Sequence, residues 1–180
     1  MRRFELEHLI RAAGRISGER ELVVIGSQAI LGQFPDAPPA LLASMEADMF
    51  PLAHPELADK VDGAIGEGSR FHQTHGYYAQ AVGPETATLP AGWKRRLVRV
   101  ENRNTGEAAG LCLEVHDLAI SKYVAGREKD REFTRELARH GMTGRATLLR
   151  RLTATKLDPA VRKTVQARIE RDFPHSSRKP

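Results

Sequence analysis

An α/β fold, a mixed sheet flanked by helices with a helical bundle at its C-terminal end, is predicted by three stretches of the 180-residue chain. Leu22-Val23-Val24-Ile25 is an apolar run of buried-strand length that stops at Gly26-Ser27. Asn102-Arg103-Asn104-Thr105-Gly106 is the strongest hairpin-turn signal in the chain and joins strand-like runs over 97–101 and 109–115. From Asp117 onward the apolar spacing is helical to the end. These stretches imply an α/β core over residues 1–116 and a helical region over 117–180 packed on it.

In chain order, Phe4, Leu6, Leu9, Ile10 and Ala13 fall on one helical stripe that Gly14 and Gly18 close. A strand over 21–25 follows, then a short helix over 27–33, a proline-rich loop over 35–39 and a second strand over 44–50. Residues 55–65 carry helical spacing and stop at Gly66 and Gly68. A polar loop holding Phe71, His72 and His75 leads to a strand over 77–82, and Pro90-Ala91-Gly92 marks a turn. The tail reads as helices over 117–125, 128–139, 144–156 and 159–172, the last with Asp158 as N-cap and Pro159 in its first position. Asp117 is expected to cap the first of these helices. Val161, Val165 and Ile169 should pack, leaving Arg162, Lys163, Arg168 and Arg171 on other faces. Only 174–180 reads as a frayed end.

With 41% hydrophobic residues, the chain can bury a real core. No apolar stretch approaches the roughly 20 residues a membrane-spanning helix needs. Acidic residues at Glu5 and Glu7 interrupt what would be a signal core, and the single Cys112 reads as a buried small hydrophobe in a reducing cytoplasm. Charge is unevenly spread. Residues 121–180 hold 16 Lys and Arg against 7 Asp and Glu, a balance of +9, which leaves −4 for residues 1–120. A basic helical surface suits a phosphate-rich macromolecule. The alternative is a solvated bundle whose arginines pair with Glu128, Glu132, Glu136 and Glu170.

The chemistry is concentrated in two blocks. In Ser44-Met45-Glu46-Ala47-Asp48-Met49-Phe50 the two carboxylates are one residue apart on a strand, so they share a face and can grip a hard cation such as Mg²⁺ or Mn²⁺. A Gly26-Ser27 turn leading into a helix offers amides, a hydroxyl and the positive helix end to an anion such as a nucleoside triphosphate. The second block runs from Cys112 through Glu114-Val115-His116-Asp117 to Lys122 and on to Asp130. On one continuous helix Lys122, Lys129 and Asp130 would lie close to one face, with Gly126 permitting a kink or the close approach of a phosphate.

In this order the two blocks resemble the nucleotidyltransferase superfamily. The second block is similar to a bacterial branch related to the AbiEii-type toxins of toxin–antitoxin systems, and the match spans about residues 20–145. Two features differ from the usual pattern: the proline-rich segment from Phe34 to Pro39 lengthens the gap between Ser27 and Glu46, and the first carboxylate is Glu rather than Asp. The resemblance implies a nucleotidyltransferase-like fold and a cytoplasmic, Mg²⁺-dependent transfer of a nucleoside monophosphate from an NTP to an RNA (tRNA) or protein acceptor. An antitoxin protein would be a further partner. It also implies metal ligation by Glu46 and Asp48, with a third carboxylate from Glu101 or Glu114, of which Glu114 lies beside the helix. Gly26, Ser27 and Lys129 would bind the nucleotide, Lys122 would neutralise the leaving pyrophosphate, and Asp130 would orient that lysine or act as base.

Two blander readings stand beside this one. Lys122 and Asp130 would instead join Arg127 and Arg131 in a helix-surface ion network, and the whole chain would be a catalytically silent nucleic-acid- or partner-binding module on the same fold. His72 and His75 lack a third ligand nearby in sequence and read as loop residues rather than a zinc site.

Overall fold

The computed structural model describes residues 1–174, and the expected frayed end lies, from residue 175 on, outside them. The chain separates into two compact units: Met1–Ala87 with Trp93–Glu114, and Thr88–Gly92 with Val115 onward.

The first unit is built on a five-stranded mixed sheet in the order β3-β2-β1-β5-β4. The strands are β1 (Glu21–Val24), β2 (Glu46–Pro51), β3 (Tyr78–Ala81), β4 (Val98–Val100) and β5 (Ala109–Cys112). The apolar run of β1 takes the central place, antiparallel to β2 (Val24 opposite Met49) and parallel to β5 (Val24 opposite Cys112). Such a strand is covered on both faces, which is why it carries no alternation: Leu22, Val23 and Val24 are completely buried. The predicted hairpin forms, with Val98 opposite Cys112. Its turn is held by the Thr105 amide donating to the Asn102 carbonyl at 3.0 Å and by Gly106 at φ 65°, a backbone region that favours glycine.

Helix α1 (Arg3–Ser17) buries Leu6, Leu9, Ile10 and Ala13 of the predicted stripe completely, leaves Phe4 in its first turn exposed, and ends at Gly18 with φ 79°. It packs against the sheet where Gly110 of β5 leaves room for Ile10, whose Cγ1 would lie 3.1 Å from an added Cβ. Helix α2 (Ile30–Gln33) is only four residues long, and the proline-rich segment folds into a 3-10 turn, Pro39–Leu41, that buries Leu41. Helix α3 (Ala58–Ile65) follows. The expected polar loop is instead α4 (Arg70–His75), because the Ser69 hydroxyl accepts from the His72 amide and Gly76 closes the end.

The second unit is helical: α5 (Val115–Ala125), α6 (Glu128–Arg139), α7 (Arg145–Thr153) and α8 (Pro159–Asp172). Helix α5 packs against α6, α7 and α8. It is apolar nearly all round, as a helix buried on most sides must be. Asp117 does not cap it. The helix begins two residues earlier, and Asp117 is fully buried 3.0 Å from the Arg151 guanidinium. Asp158 caps α8 as expected, accepting from the Ala160 amide at 2.8 Å. Of the α8 stripe Val165 and Ile169 are buried, whereas Val161 remains exposed.

Candidate functional site

The β1–β2 ladder continues one step beyond the strands, the Ile25 amide donating to the Asp48 carbonyl at 3.0 Å, and then the chain turns at Gly26. The turn lies against the side chain of Asp48: a Cβ on Gly26 would stand 2.6 Å from Asp48 Cγ and overlap Oδ2. Gly26 has φ −80° and ψ −171°, which any residue adopts. Space is what requires glycine here. Ser27–Ala29 then form a 3-10 turn closed by the Ala29 amide donating to the Gly26 carbonyl at 2.9 Å. The first turn of such a helix leaves the amides of Ser27 and Gln28 without intrahelical acceptors. Gln28 is fully buried and α2 is short, so the half-buried Ser27, through its amide and hydroxyl, carries any anion contact and the expected helix dipole contributes little.

Glu46 and Asp48 alternate on β2 with the fully buried Ala47 and are themselves half-buried. The Ser44 hydroxyl accepts from the Glu46 amide at 3.2 Å and fixes the start of the strand. Glu46 pairs in register with Tyr78 of β3, and the phenol donates to Glu46 Oε2 at 3.2 Å. Burial, together with the negative charge of Glu46 and Glu67, pushes the Tyr78 hydroxyl up to about 12. The His72 ring packs 4.5 Å from the Tyr78 ring.

The two candidates for a third carboxylate separate clearly. Glu101 stands at the opposite end of the sheet, bound to Arg99 at 2.6 Å, and Arg99 also reaches Glu21 at the start of β1. Glu114 follows the end of β5, where the Leu113 amide donates to the Val24 carbonyl at 3.0 Å, at the edge from which the Gly26 turn departs. Among the described residues no group of three or more His, Cys, Asp and Glu is placed to hold a metal ion, so Glu114 does not complete a cluster with Glu46 and Asp48.

Sequence reasoning missed Gln28. Its side chain is completely buried, and neither its oxygen nor its nitrogen has a hydrogen-bond partner among the described residues. Leaving a buried amide unmade costs about 1–3 kcal/mol. Such a cost at the turn against Asp48 marks the turn as more than a chain reversal. Tyr78 was missed for a different reason: its place beside Glu46 follows from strand register, which neighbouring residues do not encode.

In the second unit, Lys122 and Asp130 meet although they do not share a helix. The chain breaks at Gly126, φ 62°, and reverses between α5 and α6. Lys122 Nζ lies 3.5 Å from Asp130 Oδ1. Asp130, nearly fully buried, also accepts from Arg127 Nε at 2.7 Å. Burial alone would raise the Asp130 carboxyl, but the Arg127 donors and the Lys122 charge outweigh it and hold the group below the usual range. Lys129 is exposed. The group that approaches Gly126 closely is the Arg168 guanidinium, which also donates to the Tyr123 carbonyl at 2.6 Å. Arg162 likewise donates to the Leu152 and Thr155 carbonyls at 2.5 and 2.7 Å. Two of the four α8 cations expected on other faces, Arg162 and Arg168, are thus engaged with the bundle's own backbone.

The donor set on β2 is two oxygen-bearing side chains beside a turn whose Ser27 is half-buried, which suits a hard divalent cation carrying a phosphate ligand. No curated protein and no solved structure matches the chain. Residues 4–156 match the family described as a nucleotidyltransferase of unknown function (DUF6036), and the chain belongs to that family.

Proposed function

We propose that the chain transfers a nucleoside monophosphate from an NTP to a hydroxyl on an RNA or protein acceptor. The observation that carries this reading is the contact of the Gly26 turn with Asp48, which sets an anion-binding turn against an acidic pair. In the reaction the acceptor hydroxyl gives up its proton to solvent, its oxygen bonds to the α-phosphorus, and the bond to pyrophosphate breaks so that pyrophosphate leaves. Glu46 and Asp48 would hold Mg²⁺ or Mn²⁺, and that ion would stabilise charge on the triphosphate oxygens. The hydroxyl and amide of the half-buried Ser27 bind phosphate oxygens. Tyr78 holds Glu46 in place through its hydroxyl.

The test is thermal unfolding with and without NTP and Mg²⁺. NTP should raise Tm only when Mg²⁺ is present, and Asp48→Asn should abolish the shift. A shift that survives both EDTA and Asp48→Asn overturns the reading. One observation favours a catalytically silent module: the Tyr78 hydroxyl already occupies one Glu46 oxygen. Transfer of α-³²P label from NTP to RNA or protein separates the two. A role as the toxin arm of a toxin–antitoxin pair predicts growth arrest on expression that Asp48→Asn relieves.

A further inference from the structure

We propose that the cavity between α6 and the end of α8 binds the phosphate backbone of a nucleic-acid strand. This inference stands independently of the nucleotide site. The cavity, about 560 Å³, is lined by Arg131, Arg135 and Arg139 of α6, by Arg171 of α8, and by Glu136 and Asp172. The three α6 arginines recur every fourth residue and so form one row, with successive residues about 6 Å apart along the axis. Like charges at this spacing destabilise a helix unless a partner neutralises them. Of the pairings anticipated for a solvated bundle, Glu136 with Arg139 and Glu170 with Arg145 form, at 3.5 and 2.5 Å, whereas among the described residues Glu128 and Glu132 make none. Among the described residues neither Arg131 nor Arg135 makes an ion pair; their Nε atoms donate instead to the carbonyls of Gly126 and Arg131, at 2.9 and 3.3 Å. That fixes the root of each guanidinium and leaves its terminal nitrogens for a ligand.

The rest of the cavity is built. Asp172, whose side chain is 1% exposed, accepts from Tyr123 and Thr134 through Oδ2 and lies 3.6 Å from Arg171 through Oδ1. Glu136 is held by Arg139 and His140 at 3.5 and 3.4 Å. Guanidinium forks match phosphate oxygens two at a time. A row of them in a concavity fits a string of phosphates better than a single anion, and a planar lipid surface cannot enter it.

The test measures binding of a 5′-labelled 12-nucleotide single-stranded RNA, and of DNA of the same sequence, by fluorescence anisotropy at 50 and 200 mM salt. The wild-type chain should bind both and lose roughly tenfold to twentyfold in affinity across that range for about three phosphate contacts. Arg135→Glu/Arg139→Glu should weaken binding at least tenfold and flatten the salt dependence. Arg150→Glu/Lys163→Glu, an equal charge change elsewhere on the same unit, should cost less than about threefold. If the first pair lowers Tm, Arg135→Gln/Arg139→Gln replaces it with the same ordering expected. Equal losses in the two pairs, unmoved curves, or equal binding of inorganic tripolyphosphate or polyglutamate would overturn the proposal.

Discussion

Tyr78 donates its hydroxyl to Glu46 across the β2–β3 pair, 3.2 Å apart, so a phenol from the edge strand positions one of the two carboxylates that define the acidic strand. The sheet edge is thereby coupled to the site.

All three tyrosines are displaced in the same direction. Tyr77 and Tyr123 are raised by burial, Tyr123 also by Asp172, and Tyr78 reaches about 12. In each case the folded state binds the phenolic proton more tightly than the unfolded state. Stability is therefore complete below pH 10 and falls as pH rises through 10 toward 12. Absorbance at 295 nm should show less phenolate in the folded protein at pH 10 than in the unfolded chain, and the denaturation midpoint should drop between pH 10 and 12. Tyr78→Phe should reduce that drop and cost about 1 kcal/mol at neutral pH.

Gly26→Ala should leave the fold intact and the nucleotide-dependent Tm shift lost. The backbone there is acceptable to alanine, so the added methyl acts only by displacing the Asp48 carboxylate. Retained Mg²⁺- and NTP-dependent stabilisation in this variant would show that the contact is incidental.

Gln28→Met removes a buried amide that has no partner and keeps the volume. Chemical denaturation should show the variant more stable by about 1–2 kcal/mol, while nucleotide binding weakens. A variant that is both more stable and fully competent for NTP would assign Gln28 no part in the site.

Asp130→Asn removes a buried charge that faces both Lys122 and Arg127 and should destabilise the chain by about 3 kcal/mol. Because the folded carboxyl lies below its ordinary value, its contribution is present at neutral pH and disappears as pH falls through the acid range. Wild type should therefore lose stability between pH 5 and 3, and the variant should lose less of it over the same interval, as read from urea midpoints.

What the sequence disclosed depended on the range of the interaction. Strand β1, the hairpin and the Asp158 cap are local patterns and each forms, although the second hairpin strand stops at Cys112, and Val115, expected in it, begins α5 instead. Helix α4 escaped notice because six residues with Phe71 as their one large apolar side chain carry no stripe, although Ser69 ahead of His72 was a legible cap. Asp117 looked like an N-cap because the Arg151 that neutralises it lies more than thirty positions away. The pairing of Glu46 with Asp48 could be seen from alternation alone. Tyr78 beside Glu46, the orphaned Gln28 amide and the capture of Arg162 and Arg168 by backbone carbonyls arise only once distant segments meet.

The central position of β1 has a consequence for synthesis. Its partner β2 is translated soon afterwards, but β5 pairs Cys112 with Val24 across about 90 residues, so at 5–20 residues per second one edge of β1 waits roughly 4–18 seconds for its neighbour. Through that interval the nascent chain carries an apolar strand with an open hydrogen-bonding edge on the ribosome. Helix α1 waits as well, since its Glu7 is satisfied by Asn102 and Asn104 from the late hairpin turn. Premature termination anywhere before the hairpin should therefore yield a fragment that aggregates or is degraded.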